Sequence, residues 1–553
     1  MKAQQSKKRM VKRLLMLFSA LALAGVLLAA VIIEQTPGVP TVFKSTESAF
    51  QQQTHFLVFT DSKTAGENAT TATAYYNAID PSKTQRDFKQ WLLNAGFISD
   101  VSQWHPSGKQ LIACNQPGCD LPAGTYGDNV INTDSHAIVV NAADLGFVRS
   151  QFIRCVPSCT AANPTMYTYL ENYPVNPFAA SGNGGSGFPF KSGFPTQAES
   201  TAAIESALNR PLGALPGCDP SKTDTAFGCK ISRIADVAFD WAPSPTNPNS
   251  AKYGQIYAFI FNESDPLNIT ETIASPTAGA SPNVHTGVLE PFNAGDPFAP
   301  NLDFIGNKQN PGVCLICHGG GPSKLTSAGA YPNQGNISGF RFLPLDIRNL
   351  IFTSDSGPEA TSRANQEAQI REYNRAVLNT VTSKAETDDQ GVTRVPVLRD
   401  VIVGWYTDSG GPQFGRTTQN ADYIPVGWRE PVHGGTAPPN SEALYTDVVS
   451  LNCRSCHFNR ELSLDLGTAG MFLANKDNVE QMVLLPLCQA NNPPAGNRPM
   501  PLAHLTYQRF WQANKTIEVT PSDSLTVFNT AEKIANYLGF SGTAGYCAVS
   551  GSN

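Results

Sequence analysis

Two stretches of this chain repeat one chemical pattern: Cys314, Cys317 and His318 in GVCLICHGG, and Cys453, Cys456 and His457 in LNCRSCHFN. Cys-x-x-Cys-His is the attachment pattern for c-type haem. The two thiols add to the vinyl groups of the porphyrin as thioethers, and the adjacent imidazole supplies a nitrogen to the iron. The spacing is needed because both sulfurs must lie along one porphyrin edge while the next residue reaches the centre. A redox Cys-x-x-Cys needs no histidine. A four-cysteine zinc ribbon sets its pairs roughly 15–20 residues apart, much closer than these two pairs lie. The expected chemistry is therefore two covalently attached c-type haems, with His318 and His457 as iron ligands.

The residues around the second motif carry a resemblance. SEALYTDVVSLN (441–452) leads into CRSCH, and RPMPLAH (Arg498 to His504) follows it. In these features the C-terminal half resembles bacterial di-haem c-type cytochromes, and the surroundings of the second motif are similar to class I cytochrome c. The resemblance implies a mainly α-helical di-haem domain with long loops. It also implies that Met500, which precedes Pro501, is the distal iron ligand of the second haem. His504 is the competitor, and Met471 and Met482 are weaker candidates. CHGGGPS and FRFLPLD (Phe340 to Asp346), around the first motif, resemble segments of bacterial multi-haem proteins of unknown role, as does DLGFVRSQF (Asp144 to Phe152).

The first haem is less determined. No Met lies between His318 and the second motif. His433 in REPVHGG and His285 in SPNVHTG are candidate second ligands; a lone loop histidine is more often a surface residue. An open iron that binds peroxide or oxygen is the other outcome. Trp405 and Trp428 lie between the motifs in sequence and could relay electrons, although a core role is the commoner use of tryptophan.

The elements that must position these residues read as an α+β N-terminal region followed by the helical di-haem part. TQRDFKQWLLNAGF (84–97) has an apolar face and a glycine stop. Ser135 opens a strand, and ISRIADVAFDW (231–241) and YGQIYAFIFN (253–262) form a hairpin with a long loop. Beyond residue 300, SRANQEAQIREYNRAVLNTV (362–381), SEALYTDVVSLN and PSDSLTVFNTAEKIANYLGF (521–540) read as helices. The expected organisation is a signal peptide or membrane anchor at 1–33, a tether at 34–48, a mixed α/β domain at 49–300, a first haem region at 301–440 and a cytochrome c-like second haem region at 441–553.

The leader combines Lys2, Lys7, Lys8, Arg9, Lys12 and Arg13 with the uncharged run 14–33, the pattern of export or of a bilayer-spanning helix of about 30 Å. Of twelve cysteines, those outside the motifs form an even set, as disulfides in an exported chain require. Proximity alone pairs Cys114 with Cys119, Cys155 with Cys159 and Cys218 with Cys229, leaving Cys488 and Cys547. The chain is therefore expected in the periplasm or at the cell surface, with redox proteins as partners. With 553 residues, 15% charged residues and a net charge of -6, it is globular and multi-domain in length, and nothing in it calls for nucleic acid. Nucleophile elbow, HExxH and Walker motifs are absent.

Three functions remain open from the sequence. The first is electron transfer between partners outside the cytoplasm; Met ligation would raise the potential of the second haem and draw electrons from the first. The second is a di-haem peroxidase or oxygenase with an open first iron, since the motif separation resembles that of di-haem cytochrome c peroxidases and rubber-cleaving di-haem oxygenases. The third is a binding module in which the N-terminal region recognises a surface or polymer.

Overall fold

The computed structural model describes, short gaps aside, residues 69–99, 110–114, 129–173, 197–209, 235–242, 255–262, 310–381, 386–458, 465–479, 515–527 and 530–539, with Thr506 and Phe510. All of them belong to one compact unit, Glu47–Asn553. The basic leader and the run 14–33 lie outside the described residues. Among the described residues no helix is long and apolar enough to cross a membrane.

The organising element is a six-stranded antiparallel sheet. Its strands are β1 (Ser135–Asn141), β2 (Val148–Val156), β3 (Thr165–Tyr173), β4 (Ala235–Ala242), β5 (Gln255–Asn262) and β6 (Leu350–Ile351). They are ordered β5-β4-β3-β2-β1-β6. The paired register sets the faces, because side chains one residue apart point to opposite sides. Gln151 faces Leu170, Leu170 faces Val237, and Val237 faces Ile260, a single row running across four strands. Arg149 opposite Asn172 forms the next row on that face.

The other face is covered by helices. α1 (Ala69–Ile79) and α2 (Phe88–Asn94) pack an aromatic cluster against it, with Phe88, Trp91, Phe97, Phe152 and Tyr169 all at most 1% exposed. Trp91 donates its indole N–H to Asp240 at 2.8 Å. Fully burying one aromatic side chain of this kind contributes about 1.5–3 kcal/mol. α3 (Gln197–Asn209) adds Ala203, Ile204 and Ala207 over Ile138, Val140 and Val148.

The expectation of a mainly α-helical C-terminal half is corrected by this arrangement. Strand β6 comes from residues beyond 300 and pairs with β1, Val140 opposite Ile351. α4 (Gly312–His318) holds the first motif. α5 (Arg363–Asn379) packs along β1, where Gln366 accepts from the backbone N–H of Ile138 at 2.6 Å. One hydrophobic core runs from Tyr75 and Phe152 to Leu345, Trp405 and Tyr445. The apolar periodicity of the C-terminal segments does not say what their helices pack on, and here α4 and α5 pack on a sheet; within 521–540, read as one helix, Asp523–Val527 is a strand and Thr530–Tyr537 is helical. SEALYTDVVSLN is helical in three abutting pieces: α6 (Ser441–Leu444), a π-helical turn at Tyr445–Val449, and α7 (Ser450–Asn452); the second motif follows in α8 (Arg454–His457).

Candidate functional site

The first motif sits on one helical turn and a bit more, so Cys314, Cys317 and His318 share a face. The start of α4 is tied to the sheet by Asn310, whose amide N–H groups reach the Tyr76 hydroxyl at 2.8 Å and the Ala258 carbonyl at 2.9 Å. The Cys314 thiol in turn lies 3.4 Å from the Asn310 side-chain oxygen. The helix stops at Gly319, whose φ of 79° lies where a side chain would be strained.

His318 is held at two points by the backbone of one residue, Arg341. Its carbonyl accepts from the Arg341 N–H at 2.8 Å, and its ring Nδ1 lies 2.7 Å from the Arg341 carbonyl oxygen. A carbonyl oxygen can only accept, so Nδ1 carries the proton and Nε2 keeps its lone pair. Phe239 of β4 and Phe340 pack on the imidazole, with centroids at 4.9 and 5.5 Å. Enclosure by protein is the largest influence on its pKa, which falls to about 4 although the Arg341 hydrogen bond opposes the fall. At neutral pH the ring is therefore a neutral base with one fixed tautomer.

The second motif is anchored by its own second residue. Arg454, 4% exposed, grips Asp346 through Nε and Nη2 at 2.6 Å each and donates to the Tyr445 hydroxyl at 2.7 Å. Its guanidinium also lies over the Trp405 ring at 5.2 Å. Burial alone would lower the Arg454 pKa, but the Asp346 carboxylate outweighs it and raises the value. Asn349 adds contacts to Asp346 at 3.0 Å and to the Ser455 hydroxyl at 3.1 Å. The segment that follows the first motif is thus stitched to the second.

These ties bring the motifs together. The Cys317 thiol lies within hydrogen-bonding reach of the Cys456 thiol, and this contact, ahead of burial, pushes the Cys317 pKa well up. Burial raises that of Cys314 as well. All four motif cysteines are free thiols. Cys314, Cys317, His318 and Cys456 line one cleft against the sheet. The cleft is partly open, and its volume of about 140 Å³ holds several waters or one small ligand.

The donor set fits covalently bound haem: two unoxidised thiols and an imidazole whose Nε2 is free, with Nδ1 fixed by a carbonyl as is usual for metal-binding histidines. The wall polarity fits too. Val237, Phe239 and Ile260 make one end apolar, while Asn141, Arg149 and Gln151 make the other polar, matching a flat apolar ring with carboxylates on one edge. The volume of about 140 Å³ is smaller than the roughly 300–1,000 Å³ of drug-sized ligand pockets, so a macrocycle would fill the cleft and extend out through its open mouth.

The remaining sequence candidates fall elsewhere. His457 is half-buried on α8, its N–H bonded to the Cys453 carbonyl at 2.8 Å. His433 lies on an exposed turn, its side chain 63% accessible and Nδ1 2.7 Å from Glu442, and it does not line the cleft. Met500, His285, His504 and Met482 lie outside the described residues. Met471 is buried in the helix Ala469–Ala474. Trp405 and Trp428 are core residues, at most 1% exposed. Cys155 and Cys159 form a disulfide; the other expected pairings involve side chains outside the described residues. Sequence reasoning did not single out Arg341, Arg149, Gln151 or Tyr373 as site residues. The first acts through its backbone, which leaves no residue-type signal, and the others are brought in by strand and helix packing.

No protein-family model, curated protein or solved structure matches this chain.

Proposed function

We propose that this chain is an exported di-haem c-type cytochrome that passes single electrons between redox proteins outside the cytoplasm. The observation that carries the reading is the convergence of the two Cys-x-x-Cys-His motifs: far apart in sequence, they meet thiol to thiol at Cys317 and Cys456 on one cleft. Cys314 and Cys317 would hold one haem and Cys453 and Cys456 the other, with His318 and His457 as proximal ligands. A haem held in this way supplies an iron that takes up and gives back one electron.

The chain's own residues do the positioning. The Arg341 carbonyl fixes the tautomer and tilt of His318 and makes Nε2 a better donor. Low basicity toward protons keeps that nitrogen unprotonated at neutral pH. The Arg454–Asp346 pair fixes the separation of the two attachment segments. Export is supported by the basic leader and by the Cys155–Cys159 disulfide, a bond that persists in oxidising compartments.

The test is a potentiometric titration of the mature protein followed by visible and EPR spectra. Two reversible one-electron steps are expected; a protein without them is not an electron carrier.

A second reading is a di-haem peroxidase or oxygenase. What favours it is the polar wall of Arg149, Gln151 and Tyr373 in the cleft that His318 also lines. A high-spin ferric signal that shifts on adding peroxide would select this reading, and two low-spin signals would reject it.

A further inference from the structure

The polar end of the cleft contains a cation with donors left over. Arg149 stands on β2 opposite Asn172 of β3. One Nη is ion-paired to Asp144, a carboxylate that also accepts from the Asn141 amide and the Gly146 N–H at 3.2 Å each. Asp144 is therefore held by the turn that joins β1 to β2, and through it the guanidinium plane is held. The Arg149 side chain is only 22% accessible, and its Nε is sealed from solvent without a hydrogen-bond partner. Leaving a buried charged donor unpaired is costly, and such a group in a folded protein calls for an explanation. The same guanidinium is close enough to act electrostatically on Cys317, His318 and Tyr373, all of which line the cleft.

We propose that Arg149 is an oxyanion anchor: pinned by Asp144, it presents the Nη–H donors that Asp144 does not use to a carboxylate or similar oxyanion at the polar end of the cleft. A guanidinium suits this task because its planar fork matches two oxygens, and such charge-assisted bonds are roughly twice as strong as neutral ones. Asp144 cancels much of the net charge, so the anchor works through directed hydrogen bonds and selects oxyanions over halides. Two sources share this chemistry. One is a propionate of the haem held by Cys314 and Cys317, in which case Arg149 sets that ring's rotation in the cleft. The other is a free oxyanion entering the cleft. The first source rests on the haem reading given above; the second does not.

The experiment uses the full mature chain and the variants Arg149→Gln and Arg149→Lys. Resonance Raman spectra report propionate hydrogen bonding through the propionate bending band. A shift of that band in Arg149→Gln, reversed at least in part in Arg149→Lys, assigns the anchor to the haem's own carboxylate; a loss of fold alone would not move this band and spare the others. Nitrite and acetate titrations are followed in parallel by the Soret band and by Tm, with chloride as the control. Saturable nitrite or acetate binding that weakens about tenfold or more in Arg149→Gln assigns it to a free oxyanion. An unchanged propionate band together with no Arg149-dependent anion binding overturns the proposal. If the purified chain carries no covalent haem, the haem reading fails separately, and the Tm arm alone decides: a nitrite- or acetate-specific rise lost in Arg149→Gln supports the anchor, and its absence overturns it.

Discussion

Arg454, inside the second Cys-x-x-Cys-His motif, and Asp346, in the segment that follows the first, form a two-pronged ion pair with both bonds at 2.6 Å and side chains only 2% and 4% accessible. Breaking such a pair by removing one partner strands a charge in the interior, at a cost of about 3–5 kcal/mol. Asp346→Ala should lose that much stability in urea unfolding. The double change Asp346→Leu with Arg454→Met should lose clearly less, because no charge is stranded. Equal losses would mean that the pair matters for shape alone.

Asp240 offers a pH test of the sheet. Burial raises its pKa to about 7; the Trp91 N–H opposes the rise and the Asp80 charge adds to it. The folded chain therefore holds a proton that the unfolded chain releases near pH 4. The stability linked to this proton is present below about pH 4 and is lost as pH rises through about 7. Asp240→Asn keeps an acceptor for Trp91 and has no charge to bury. It should be more stable than the parent by roughly 2–4 kcal/mol at pH 8, with the difference vanishing toward pH 4. A difference that does not depend on pH would contradict this assignment.

How much of this was legible beforehand depends on where the signal lies. The residues proposed to attach haem declare themselves because that chemistry needs fixed spacing, and five residues suffice. The hairpin of β4 and β5 and the long helix α5 were readable from β-rich runs and 3.6-residue periodicity. Strands β2 and β3 were not, because Arg149, Gln151, Asn172 and Glu171 interrupt their apolar pattern. Those polar residues are buried by tertiary packing or face the cleft, which local pattern cannot anticipate. The helical C-terminal half was misjudged for the same reason: β6 is only Leu350–Ile351, too short to read as a strand, yet it joins that half to the sheet. The His318–Arg341 lock runs through a backbone carbonyl and so has no residue-type signature.

Under the proposed di-haem function, contact between Cys317 and Cys456 makes the two redox centres interdependent. Reduction of one should lower the tendency of the other to be reduced. A redox titration should depart from two independent one-electron curves, and the EPR signals of the fully oxidised protein should relax faster than those of the half-reduced protein. Independent curves would count against adjacent centres.

Met500 remains the proposed distal ligand of the second haem. Met500→Ala should lower the potential of one haem or convert it to high spin, since thioether ligation raises the potential. Unchanged spectra and potentials in both haems would remove Met500 from the site.

The most direct measurement is the intact mass of the mature protein made in a host with haem-maturation machinery, alongside Cys314→Ala with Cys317→Ala. Two covalent haems on the parent and one on the variant are predicted. A parent without haem, or a variant that still carries two, would contradict the account.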